Sequence, residues 1–161
     1  MSQNPGVLSR LLHGCAVGLL LLPASCGQLP PTSSVAIPPA PAGQARIWIY
    51  RNEGPYDSQD RPYFRLNGQV AGISEPNGAL YRDVPPGHYM VSVDSYGVPY
   101  PNQFMQVELG AGQEVFIKVS SMRERVSGGD NVGSRALFFT YPLTADAARP
   151  AIAATPFYGS S

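Results

Sequence analysis

The sequence predicts an all-β fold, a single small sandwich of seven or eight mainly antiparallel strands. Three observations carry that prediction. Short runs that alternate apolar and polar residues recur through residues 45–142. Gly, Asn and Pro turn signals separate those runs. No window in the same stretch has the period and length of a helix.

The runs follow in order. ARIWIYR (45–51) alternates, with Ile47 and Ile49 on one face and Trp48 and Tyr50 on the other. RPYFRL (61–66) and QVAGI (69–73) flank Asn67-Gly68, a pair suited to a two-residue hairpin because both positions tolerate positive φ. Pro76-Asn77-Gly78 marks the next turn, and ALYRDV (79–84) follows it. Pro85-Pro86-Gly87 leads into HYMVSVD (88–94), with Tyr89, Val91 and Val93 inward. QFMQVEL (103–109) places Met105, Val107 and Leu109 on one face. Gly110-Ala111-Gly112-Gln113 then turns the chain into EVFIKVS (114–120), whose Val115, Ile117 and Val119 point inward. RALFFTY (135–141) is the last run and stops at Pro142. The tail, residues 143–161, is rich in Ala, Pro and Ser and is predicted to be irregular. Its Phe157 and Tyr158 are apolar enough to dock on the domain or on a partner.

The N-terminus reads as an export segment. Residues 1–10 carry a single charge, Arg10, and an apolar run from Leu11 to Leu22 follows. Small residues stand behind it, so residues 1–25 have the three parts of a secretory signal peptide. The run is short for a bilayer, which takes about 20 apolar residues. Leu22-Pro23-Ala24-Ser25-Cys26 resembles the lipobox of bacterial lipoproteins, in which the cysteine thiol receives a diacylglyceryl group. Ala24, Ser25 and Cys26 match it, while Pro23 stands where Leu is usual. The other reading is ordinary cleavage near residues 24–27. By the same resemblance, Gly27 in place of Asp points to the outer membrane, on its periplasmic side or at the cell surface. Without the lipid the product is periplasmic or secreted. Residues 26–44 form a Pro-rich linker, of which 28–44 hold five prolines and no charge, and are expected to be a disordered, solvated tether.

Composition narrows the function classes. Among 161 residues, 11 basic and 11 acidic side chains balance, which leaves no electrostatic footprint for nucleic acid. The two histidines are His13 and His88 and the two cysteines Cys15 and Cys26. Processing removes His13 and Cys15, so neither an internal disulfide nor a His/Cys zinc cluster is expected, and no cofactor or metal is implied.

ARIWIYR, LNGQVAGI, VPPGHYMVSV and VELGAGQEVFIKV together resemble the bacterial domain of unknown function DUF2846 over about residues 45–120. The Pro-Gly turn before an alternating strand, PPG-x-Y-x-V-x-V, also resembles that of prealbumin-like and PEGA-type β-sandwich modules. The resemblance implies a cell-envelope lipoprotein or secreted protein, and it brings no catalytic residues with it.

Candidate sites are few. His88 has neither a second His nor a Cys beside it in sequence, and reads as a solvated strand residue. Glu53, Asp57 and Asp60 in RNEGPYDSQD lack the compact spacing of a calcium loop. The surplus is aromatic: Trp48, Tyr50, Tyr63, Tyr81 and Phe116 on strand faces opposite the inward set, with Tyr96 and Tyr100 in the loop 95–102. Such rings suit a glycan or protein partner if exposed, or a second buried layer if the tail covers them. Three functions are therefore weighed. The first is a non-enzymatic envelope module, held to the membrane by lipid on Cys26, that binds a protein or glycan. The second is a hydrolase of envelope polysaccharide using Asp83 and Asp94. The third is an accessory subunit of an envelope assembly with no ligand of its own.

Overall fold

Among the described residues eight strands form at the alternating runs: β1 (Ala45–Arg51), β2 (Tyr63–Leu66), β3 (Gln69–Ile73), β4 (Gly78–Val84), β5 (Gly87–Val93), β6 (Phe104–Leu109), β7 (Glu114–Gly128) and β8 (Asn131–Leu143). One helix, α1 (Ala145–Ala154), follows them. The structure is a computed structural model and describes residues 28–95, 103–128 and 131–159. Among the described residues no helix is long and apolar enough to cross a membrane.

Two four-stranded sheets pack face to face, in the orders β4-β1-β7-β8 and β3-β2-β5-β6. Every neighbouring pair is antiparallel except β1 and β7, which run parallel from Arg46–Glu114 to Tyr50–Lys118. Asn67 (φ 50°) and Gly68 (φ 79°) make the β2–β3 turn, as their sequence requires. The Asn67 side chain then fixes that turn to β5, its Oδ1 accepting from the Met90 N–H at 2.8 Å.

Between the sheets, Ile47, Ile49 and Ile117 meet Phe64, Val91 and Val93. Burying each of these apolar side chains stabilises the fold by about 1.5–3 kcal/mol. The inward residues are those the alternation selects, so the sandwich follows from the pattern.

Three parts depart from the sequence expectation. The β7–β8 hairpin pairs from Phe116–Leu143 out to Gly128–Asn131, well past the last β1 partner at Lys118. The tail contains α1 instead of irregular chain: Ala148 and Ile152, four residues apart on one helix face, are both buried. The described part of the linker is fastened to the domain at several points, although most of its residues stay exposed. Thr32 is buried, and its N–H and hydroxyl both donate to the Thr155 carbonyl, at 2.9 and 2.7 Å.

Candidate binding surface

The structure divides the aromatic candidates. Trp48, Tyr50, Tyr81 and Phe116 are buried, Tyr63 is 49% exposed, and Tyr96 and Tyr100 lie outside the described residues. Register explains the first group. Tyr81, Trp48 and Phe116 stand side by side across β4, β1 and β7, on the face turned away from the second sheet. Trp48 and Tyr81 have ring centroids 5.1 Å apart, and Phe157 of the tail stacks on Tyr81 at 5.8 Å. Ala148 and Ile152 of α1 complete the layer, with Ile37 of the linker against it. Of the two readings the sequence leaves open, a binding face or a layer covered by the tail, these four residues follow the second, because α1, the tail and Ile37 of the linker cover them.

Polar groups fix that cover. Glu114 accepts from the Trp48 indole N–H at 3.3 Å and pairs with Arg149 of α1, whose guanidinium lies over Phe116. Arg46 donates to both carboxylate oxygens of Asp83, stacks 3.9 Å from the Tyr81 ring centroid and donates to the Pro38 carbonyl at 2.8 Å. Its hydrogen bond to Asp83 raises the Arg46 guanidinium above the ordinary arginine value, against the opposing effect of burial.

The acidic loop has a structural role. Arg51 is 1% exposed, and its guanidinium donates to the carbonyls of Asp60, Ser58 and Ser74. Burial lowers its pKa, while Asp57, Asp60, Glu53 and Glu75 act the other way. Asp57 accepts from the Ser121 hydroxyl at 3.0 Å, which ties the loop to β7. Residues 52–60 therefore fold around a buried cation. Among the described residues no three His, Cys, Asp or Glu side chains could hold a metal ion together.

The carboxylates proposed for hydrolysis are not brought together. Asp83 lies on β4 of the first sheet, gripped by Arg46, and Asp94 follows β5 of the second, gripped by Arg65 at 2.7 and 2.9 Å. His88 faces Glu108 across β5 and β6 at 3.8 Å, both side chains largely exposed.

The outer face of the second sheet is different. Strand alternation turns Tyr63 and Arg65 of β2, Met90 of β5 and Phe104 of β6 away from the core. Tyr63, Val70, Ile73, Met90 and Phe104 are each between 40% and 53% exposed. Register aligns Val70, Arg65, Ser92 and Phe104 in one row across all four strands, with Ile73 and Tyr63 paired beside it. At the Tyr63 end, Asp60, Arg61, Asp94 and Ser95 help line a cleft of about 490 Å³.

Of this surface, Tyr63, with Asp60 and Asp94 in the cleft beside it, stands among the candidates read from sequence. Phe104 and Met90 are single apolar residues on outward sides of their strands, and Val70 and Ile73, three apart, share a face only where the β2–β3 register shifts. Cys26, the candidate for lipidation, lies outside the described residues. Comparison of the chain with protein-family models, curated proteins and solved structures finds no match in any of the three.

Proposed function

We propose that this chain is an exported, lipid-anchored module of the cell envelope that carries out no chemistry itself and holds a protein partner on the outer face of the β3-β2-β5-β6 sheet. The signal-peptide pattern of residues 1–25, the lipobox-like Leu22–Cys26 and the resemblance of residues 45–120 to DUF2846 support export and anchoring. One observation carries the binding surface. Around Trp48, Tyr81 and Phe116 the first sheet's outer face is covered by α1, the linker and the tail, with Tyr141 of β8 left exposed, while the second sheet's outer face keeps an aromatic, aliphatic and Met surface open around an Arg–Asp pair.

Aromatic residues, Met and Arg are the side chains enriched where proteins meet. A flat face of four strands suits a protein surface better than a single sugar ring. The cleft beside Tyr63, with its carboxylates, guanidinium and hydroxyl, favours a glycan as the second reading.

Affinity capture from detergent-solubilised envelopes tests the surface. The wild-type chain is compared with a Tyr63→Ala, Phe104→Ala double variant and with Tyr141→Ala, an exposed site on the other sheet. Loss of one protein with the double variant alone supports the reading, and equal recovery from all three overturns it. Loss of binding to envelope glycan alone favours the second reading. Intact mass of the mature product, wild type beside Cys26→Ser, tests the anchor.

A further inference from the structure

We propose that the β4 edge of the first sheet faces the lipid surface, so that the domain is held close against the membrane by that edge. The inference rests on the reading that Cys26 carries the lipid.

A free linker from Cys26 to Ala45 would let the domain range widely: 19 Cα steps of at most about 3.6 Å reach about 68 Å. The structure removes most of that freedom, because the chain is fastened from Pro30 onward. The Phe157 N–H donates to the Pro30 carbonyl at 3.1 Å, and Pro31 bridges Pro156. Buried Thr32 makes its two bonds to Thr155, and Arg46 holds the Pro38 carbonyl.

The tail is itself docked on β4. Ala79 donates to Pro156 at 2.9 Å, and Tyr158 donates back to Ala79 at 2.8 Å. The tail thus covers the exposed backbone of the β4 edge, and the N-terminal segment covers the tail. Only Gly27, Gln28 and Leu29 separate Cys26 from the first fastened residue, a reach of about 14 Å.

What lies at that edge suits a lipid interface. Leu29 and Tyr158 are each 43% exposed. Aliphatic side chains with a tyrosine are the mixture that a headgroup boundary accepts. The far edge is β8, four strand spacings or about 19 Å from the tail. A 14 Å tether keeps its root, and with it the β4 edge, near the surface and sets no such limit on the β8 edge.

The test uses the full lipidated chain in phospholipid vesicles doped with a lipid-borne fluorescence quencher. Lipidation consumes the Cys26 thiol and processing removes Cys15, so a cysteine introduced by Tyr158→Cys or Tyr141→Cys takes the fluorophore alone. Quenching is expected to be several-fold stronger at position 158 than at 141. A Gly-Ser insertion between Gly27 and Gln28, as long as the docked segment, is expected to erase the difference. Equal quenching at both positions in a product of lipidated mass overturns the orientation and leaves the anchor standing. A difference that survives the insertion also overturns it, because the short tether then does not set the orientation. A soluble product without the lipid mass overturns the anchor and the orientation together.

Discussion

Arg46 and Asp83 face each other across β1 and β4 in a two-pronged ion pair, Nε to Oδ1 at 2.7 Å and Nη2 to Oδ2 at 2.9 Å. The same guanidinium covers Tyr81 and holds the Pro38 carbonyl, so one side chain joins the sheet, the aromatic layer and the N-terminal segment. Asp83→Ala leaves the Arg46 charge buried without its counter-ion. It is expected to cost about 3 kcal/mol, read as a lowered urea midpoint at unchanged slope. Replacing both partners by apolar residues is expected to cost less than Asp83→Ala alone.

Trp48 and Tyr63 should behave as opposites, although the alternating pattern presents both as outward aromatics. Trp48→Ala opens a cavity under α1 and is expected to cost about 3–5 kcal/mol. Tyr63→Ala removes a half-exposed ring and is expected to change stability by about 0.5 kcal/mol. Chemical denaturation of the two variants checks the contrast. Equal losses would place the buried layer on the wrong sheet.

Arg51→Met keeps much of the side-chain volume and removes the donors to the Asp60, Ser58 and Ser74 carbonyls. The predicted outcome is local. Amide exchange across residues 52–60 should accelerate by tenfold or more, since losing more than one buried hydrogen bond costs at least about 1–3 kcal/mol. Core strands β1 and β5 should keep their relative protection.

Gly78 sits where the tail crosses β4. A Cβ there would meet the Glu75 Cβ at 2.7 Å and the Tyr158 ring at 2.9 Å. Gly78→Ala is therefore expected to cost about 1–3 kcal/mol by overcrowding. It should also free the tail, seen as faster proteolysis after residue 154 with the sandwich intact.

The strands were legible because one face of each is dry. Ile47, Ile49, Val91, Val93, Ile117 and Val119 are the residues that alternation turns inward, and the core contains them all. The outer half of the β7–β8 hairpin was not legible. Its SSMRERVSGG has only Met122 and Val126 as large apolar residues, both exposed, and a strand wet on both faces leaves no sustained two-residue apolar rhythm. Helix α1 was hidden by Pro150, which argues against a helix when read locally. Packing of Ala148 and Ile152 on Trp48 and Phe116, with Arg149 tied to Glu114, overrides that local preference.

The fate of the aromatic layer follows from the same cause. Trp48, Tyr50, Tyr81 and Phe116 share one face by register, but whether that face is wet depends on where residues 28–44 and 143–161 go. No period in those Pro- and Ala-rich stretches says so. The open face was hidden for the opposite reason: Met90 and Phe104 are single apolar residues on polar sides of their strands, and they gain meaning only when the sheet aligns them.

Hydroxyl-radical footprinting, done on the purified chain and on the chain in its native envelope, bears most directly on the two faces. Trp48 and Tyr81 should be protected in both settings. Tyr63, Met90 and Phe104 should react freely in the purified chain and become several-fold less reactive in the envelope. Equal reactivity of Tyr63, Met90 and Phe104 in the two settings would contradict a partner on the second sheet.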